Sequence, residues 1–345
     1  MKKPIKKESG SILAPHFQDE DKAREYLEAM RWPDGAVCPH CGLVGEAYKL
    51  TPKEKVVEAK PKPQLKSEAT KRVRKPRKGL WKCAGCRKQF TVTVKTIFED
   101  SHIPLHKWLL AIHLVCASKK GISAHQLMRM LDIKQYKSAW FMTHRIRYAM
   151  TQEPLASKLT GVVELDETYI GGRRRDPPMV RKAGERAIDR PGPFEGKAAV
   201  LSILQRGGKV RSQHMDRVTA DTLKAAIRET CADDAHLMTD TARAYSGFAK
   251  PWKHSQVNHT AKEYVRWEDG VCVTTNTIEG FFSILKRGVN GTFHHVSKKH
   301  LHRYLAEFDF RYNGREMTDG ERSSEALKGF EGKRLMLKDP IGKTE

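Results

Sequence analysis

Two Cys-x-x-Cys steps constrain this chain more than any other feature: Cys38 with Cys41, and Cys83 with Cys86. A Cys-x-x-Cys turn places two sulfurs on one side of an ion, and a second such turn closes a tetrahedral cage. The four cysteines are therefore expected to hold a structural Zn²⁺ in a zinc ribbon. Gly42 and Gly85 favour a tight turn at each knuckle, and a redox thiol pair is the alternative. The 41 residues between the pairs exceed what a ribbon hairpin needs. Residues 49–79 account for the excess as an insertion, with 12 Lys/Arg against 3 Asp/Glu and scattered Pro. Such a composition is not expected to order itself. Cys116, Cys231 and Cys272 stand alone and read as small buried hydrophobes. Seven cysteines, an odd number, suit thiolate ligands in a reducing compartment better than a disulfide framework.

Charge points to the partner. The 345 residues carry a net charge of +23, and it is uneven. Residues 1–150 have 31 basic and 14 acidic side chains, whereas residues 151–345 have 33 and 27. This polarity points to a polyanion, most simply double-stranded DNA. The longest apolar run, Trp108 to Ala117, is about half of the roughly 20 residues that a membrane span needs. No apolar stretch follows the basic start, so a cytoplasmic, nucleoid-associated protein without a membrane partner is expected.

Hydrophobic spacing predicts a short helix over 19–30, a strand around Val92 and Val94, and helices over 104–117 and 122–150. Ser123 is a candidate N-cap, and a break is expected at 132–134. Helix, turn and a basic aromatic helix make a helix-turn-helix-like outline. Its candidate DNA contacts are Tyr136, Lys137, Arg145 and Arg147. The alternative is a helical linker.

From Gly161 onward the pattern becomes mixed α/β. Val162–Ile170 reads as a strand with Val163, Leu165 and Glu167 on one face and Glu164 and Asp166 on the other. Asp166 is costly in so apolar a strand unless it is paired or metal-bound. A hairpin turning at Gly207-Gly208 follows, then a helix over 219–231, a strand over 236–240 ending on Asp240, and a helix over 276–287 bearing Glu279 and Lys286. Two acids on strands and one on a later helix form an arrangement that holds two divalent ions for phosphodiester chemistry.

The stretches Glu164-Leu165-Asp166-Glu167-Thr168-Tyr169-Ile170-Gly171-Gly172 and Asn276-Thr277-Ile278-Glu279-Gly280-Phe281-Phe282-Ser283-Ile284-Leu285-Lys286-Arg287-Gly288 resemble the catalytic blocks of bacterial insertion-sequence transposases of the ISXO-like kind. The stretches 291–304 and 310–313 are similar too, and the resemblance spans roughly residues 17–315. It implies an RNase H-like catalytic domain with a DDE-type acid triad and two Mg²⁺ (or Mn²⁺) ions. The implied triad is Asp166, Asp240 and Glu279, with Lys286 as a basic companion. Asn276, one turn before Glu279, is the alternative third position. Glu279 is preferred because a carboxylate binds a hard cation better than an amide does.

The fold expected is therefore α/β with a mixed sheet: an RNase H-like domain behind a zinc ribbon and a helical DNA-binding segment. The expected divisions are 1–30 (basic arm and short helix), 31–98 (ribbon with its insertion), 99–153 (helical segment), 154–315 (catalytic domain) and 316–345 (a weak tail). A long loop is expected at 173–197. Arg287, Lys298 and Lys299 are further candidate DNA contacts. His294, His295, His300 and His302 fit a second metal site, phosphate contact or simple packing. The expected activity is cleavage at the ends of an insertion sequence and joining of the 3′-hydroxyl to target DNA, by at least a homodimer. The rivals are an inactive DNA-binding regulator and an RNase H-like structure-selective nuclease.

Overall fold

The computed structural model describes residues 11–51, 78–151, 158–171, 196–245, 248 and 251–341, with the backbone alone of 55–58 and 71–74. Most of the basic arm, the loop at 173–197 and much of the insertion lie outside the described residues. The chain divides into two compact units. One comprises residues 11–110 with 331–334, and the other 111–330 with 335–341.

The first unit begins with α1 (Glu20–Arg31). Asp19 caps it by accepting from the N–H groups of Asp21 and Lys22, and Ala23 and Leu27 form its buried face. Strands β1 (Ala47–Lys49), β4 (Trp81–Cys83) and β5 (Gln89–Phe90) make an antiparallel ribbon in the order β1-β4-β5. Between them, β2 (Lys55–Glu58) pairs antiparallel with β3 (Lys71–Arg74). The insertion thus contains a two-stranded ladder, contrary to the expectation from its composition. The β-branched Val56, Val57 and Val73 favour that extended backbone. Glu28 ties α1 to the ribbon by accepting from Trp81 Nε1 and Lys49 Nζ. The expected strand at Val92 and Val94 is a series of turns instead. The carbonyls of both valines are taken by the Arg31 guanidinium rather than by a neighbouring strand.

Helix α2 (Leu105–Ala117) leads into the second unit. There α3 (Ala124–Met130) is capped by Ser123, and α4 (Tyr136–Ala149) follows a break at Asp132, whose φ is +48°. Both the cap and the break fall where the sequence places them.

A five-stranded mixed sheet follows. It contains β6 (Val162–Ile170), β7 (Ala198–Gln205) and β8 (Val210–Met215), with β7 antiparallel to both β6 and β8. After α5 (Ala220–Thr230) come β9 (His236–Asp240), parallel to β6, and β10 (Lys253–Val257), parallel to β9. The strand order is β10-β9-β6-β7-β8. A small hairpin of β11 (Arg266–Glu268) and β12 (Val271–Val273) precedes α6 (Asn276–Gly288), and α7 (Lys298–Asn313) packs beside α6.

Each face of the sheet carries its own core. On one, Val163, Leu165, Leu201 and Ile203 meet Leu223, Ala226 and Ile227 of α5. On the other, Val200, Leu204 and Val210 meet Ile278, Phe281 and Leu285 of α6 and Leu305 and Phe308 of α7. A central strand covered on both faces reads as a nearly continuous apolar run, as β7 does. This is the mixed α/β architecture expected, consistent with an RNase H-like fold.

The segment expected to be a tail is structured. Helix α8 (Asp319–Lys328) opens on a reciprocal Thr318/Glu321 capping box and buries Ala326 and Leu327. A last turn, α9 (Lys338–Ile341), follows. Among the described residues no helix is long and apolar enough to cross a membrane.

Candidate active site

The sheet brings the two strand acids onto adjacent interior strands. β6 and β9 are paired in parallel register from Val162 opposite His236 to Glu164 opposite Met238. Asp166 and Asp240 each lie two residues beyond that last pair, Asp166 in the middle of β6 and Asp240 at the C-terminal end of β9. Helix α6 carries Glu279 along the face that Glu164 and Asp166 share.

Glu164 fixes that helix. Its carboxylate is fully buried and accepts from the N–H of Ile278 and the hydroxyl of Thr277, both at 2.9 Å, in the first turn of α6. An anion at a helix N-terminus is stabilised by the unpaired N–H groups there. Arg206, from the β7–β8 turn, neutralises Glu164 at 2.8 Å. Its remaining N–H groups donate to the carbonyls of Cys272 and Thr274, which lead into α6.

Asp166 is half-buried. Burial pushes its carboxyl up to about 7, helped by the charges of Glu167, Asp240 and Glu279 and opposed by the Glu167 N–H, which donates to it at 2.7 Å. The charges acting on it include those of Asp240 and Glu279, the other two members of the expected triad. Asp240 accepts from the Ala242 N–H at 2.9 Å. Glu279 is half-exposed, accepts from the Thr275 hydroxyl at 3.1 Å and stands 3.4 Å from His259 Nε2.

Glu167 is a fourth acid, to which the sequence reading assigned no role. On the opposite face from Asp166, it accepts from the buried Tyr245 hydroxyl at 2.6 Å. Burial, with Asp240 adding to it, raises Glu167 to about 7, against the Tyr245 hydrogen bond. Strand alternation could have flagged Glu164 and Glu167 as acids needing partners. Nothing local to Arg206 or Tyr245 names them as those partners.

Lys286 is exposed two turns along α6 from Glu279, and Asn276 is exposed at the start of that helix. Among the candidate DNA contacts, Lys137, Arg287 and Lys298 are exposed, Tyr136 is exposed and stacks on His125, and Lys299 is half-buried. Arg287 bonds the Ser283 carbonyl and hydroxyl. Arg145 and Arg147 are not surface groups, contrary to the sequence expectation. Arg145 is buried and donates to the Leu335 carbonyl. Arg147 is 2% exposed, pairs with Glu307 at 2.6 Å and lies over the Tyr304 ring at 3.9 Å. Helix α4 turns this side inward, so its basic end serves the core. His300 packs on Trp140 and His144, and burial lowers it to about 4.

The four paired cysteines converge. Their sulfurs lie within 4.8 Å of one another, with Cys38–Cys86 and Cys41–Cys83 each at 3.6 Å. Four thiolates around one zinc ion stand about 3.8 Å apart, so the set fits. Burial pushes Cys38 up, but the N–H groups of Cys41 and His40 outweigh it and hold the thiol at about 7, whereas at Cys86 the Lys88 N–H is outweighed by burial and the other three thiols, which push it up to about 11. Among the described residues this is the one group of three or more metal-ligating side chains so closely gathered. The carboxylates of Asp166, Asp240 and Glu279 are not gathered as closely. Cys116 and Cys231 are fully buried, and burial raises each to about 12, in keeping with inert packing.

The chain's similarities agree with this geometry. Over 302 residues it is 26% identical to a protein described as an uncharacterized protein in transposable element ISH50 of Halobacterium salinarum, covering 86% of this chain and 91% of that one. No solved structure gives a significant match. Residues 18–89 match the transposase zinc-ribbon domain and residues 158–313 the ISXO2-like transposase domain. The chain thus carries a transposase zinc ribbon followed by an ISXO2-like transposase domain.

Proposed function

We propose that this protein is a DNA transposase that binds the terminal inverted repeats of an insertion sequence, cuts at the element ends and joins the freed 3′-hydroxyl to target DNA. The observation that carries this reading is the alignment of Asp166 and Asp240 on adjacent parallel strands, with Asp166 held near 7 among its acidic neighbours. Such a site is short of positive charge. Asp166, Asp240 and Glu279 are the residues that would hold Mg²⁺ or Mn²⁺. When bound, two such ions stabilise the attacking and leaving oxygens of an in-line displacement.

The chain's own groups do the rest. Glu164 and Arg206 set α6, and with it Glu279, against β6. Lys286 and Arg287 offer cationic contacts to phosphates flanking the cut. In the first step water attacks the phosphodiester, and the bond to the 3′-oxygen breaks. This leaves a 3′-hydroxyl and a 5′-phosphate. In the second step that hydroxyl attacks a target phosphodiester, forming one P–O bond and breaking another. The ribbon, with Zn²⁺ on Cys38, Cys41, Cys83 and Cys86, and helices α3 and α4 recognise the element end. A homodimer or larger assembly brings two ends together.

Strand transfer of a labelled, pre-cut end into plasmid DNA with Mg²⁺ tests this reading. Joining by the wild type is expected, lost with Asp166→Ala and Glu279→Gln and kept with Asn276→Ala. Loss with Asn276→Ala and retention with Glu279→Gln would move the third ligand to Asn276. Binding or cutting without joining would overturn the transposase reading.

A further inference from the structure

A cavity lies within the second compact unit. It encloses about 450 Å³ between the C-terminal end of α2, the flank of α6, the second half of α7 and the start of α8. That volume falls within the range of about 300–1,000 Å³ usual for small-molecule sites. Phe281, Ile284, Phe308 and Tyr312 give it apolar walls. Lys119, Arg311, Arg315 and Arg322 bring four cations to it, against the one acid Asp319.

Arg311 is the informative group. It is 7% exposed, and its Nη1 pairs with Glu307. Glu307 is fully buried and also pairs with the buried Arg147. The three side chains therefore carry a net charge of +1 in the interior, with the Arg311 guanidinium over the Phe308 ring at 4.6 Å. Burying such a charge is costly unless an anion meets it. Arg311 Nε and Nη2 are buried and have no hydrogen-bond partner among the described residues. These two N–H groups lie on one edge of the guanidinium, the edge that takes two oxygens of a phosphate or carboxylate side by side. Arg322 cannot fill the gap. It is held in place by the carbonyls of Gly314 and Cys116 and by Asp319.

We propose that this cavity binds a nucleoside monophosphate group, with the phosphate on the unpaired edge of Arg311 and the planar base against the apolar wall. A free nucleotide and the 5′-phosphorylated end of a DNA strand share this chemistry. The DNA end is the source favoured, because the cleavage proposed above leaves a 5′-phosphate. That choice of source rests on the transposase reading, whereas the binding site does not.

The test uses the full chain in an Asp166→Ala background without Mg²⁺, so that failure of the chemistry does not affect it. Titration calorimetry with thymidine 5′-monophosphate is expected to show saturable binding, at least tenfold tighter than thymidine. Arg311→Met is expected to weaken it at least tenfold. Ile284→Trp fills the cavity without touching a charge and is expected to do the same, so it decides the matter if Arg311→Met does not fold. Displacement of the nucleotide by a 5′-phosphorylated oligonucleotide, and not by its 5′-hydroxyl twin, would assign the source to DNA. Displacement by neither would assign it to the free nucleotide. Absence of saturable binding, equal binding of thymidine, or binding that survives Ile284→Trp would overturn the proposal.

Discussion

The main-chain N–H of Ile278 donates to the carboxylate of Glu164 at 2.9 Å, joining the first turn of the helix that carries Glu279 to the strand that carries Asp166. The contact spans 114 residues and lies two positions from the first acid and one from the third. Glu164→Ala would leave Arg206 without its carboxylate and the helix N-terminus without its acceptor. Breaking a buried pair from one side costs about 3–5 kcal/mol. The expected outcome is a large drop in thermal midpoint and loss of strand transfer. Glu164→Gln keeps the shape and loses the charge. It should fold and bind DNA, yet need more Mg²⁺ for half-maximal joining. An unchanged Mg²⁺ requirement would show that this contact does not set the geometry of the acids.

The acids predict a pH dependence with a definite sign. Asp166 is raised from 3.8, and Glu167 from 4.5, each to about 7. Between the ordinary and the raised values the folded protein holds more protons than the unfolded chain. The stability they contribute is therefore present in full at low pH and is lost as pH rises through about 7. Metal-free protein should lose thermal midpoint across that window. Added Mg²⁺ should flatten the loss, because a bound cation favours the charged carboxylates. Asp166→Asn should flatten it in part without metal. A midpoint that climbs with pH in metal-free wild type would contradict the burial of these groups.

Most of the fold was legible in the sequence where local pattern decides it. The apolar run with acids at alternate positions gave β6, Gly207-Gly208 gave the hairpin, and Ser123 gave the cap of α3. The cysteine spacing gave the metal cage because four soft ligands in two pairs leave few other readings. What escaped were long-range partners: Arg206 for Glu164, Tyr245 for Glu167, and Arg31 for the carbonyls of Val92 and Val94. The same limit misplaced Arg145 and Arg147. A basic helix is read as a nucleic-acid surface unless the chain supplies a buried counter-charge, here Glu307, 160 residues from Arg147. The last 30 residues looked weak because their apolar positions are few, yet Ala326, Leu327 and Phe330 are each only 3% exposed.

That correction separates two kinds of basic residue on α4. Lys137 is exposed, so Lys137→Ala should leave the thermal midpoint within error. If it meets a phosphate, it should weaken binding to all sequences and lower the salt slope by about 1. Arg147→Ala should instead destabilise the fold by about 1.5–3 kcal/mol, because Glu307 keeps Arg311 but loses one buried, hydrogen-bonded partner. Thermal denaturation together with fluorescence anisotropy at several salt concentrations distinguishes them. Equal stability losses in the two variants would contradict the burial pattern of this helix.

Removing zinc should act on one unit. The cysteines lie in residues 11–110, whereas Asp166, Asp240 and Glu279 lie in the other compact unit. Structural zinc in such small modules supplies about 10–16 kcal/mol of apparent binding energy, which is folding energy for the ribbon. Trp32 and Trp81 stand edge to face at 5.7 Å beside the ribbon strands, so their fluorescence reports its loss. A strong chelator should change that fluorescence and weaken binding to the element end. The circular-dichroism melt of the α/β unit should persist at its original temperature. One cooperative collapse of the whole signal on chelation would show that the two units do not fold independently.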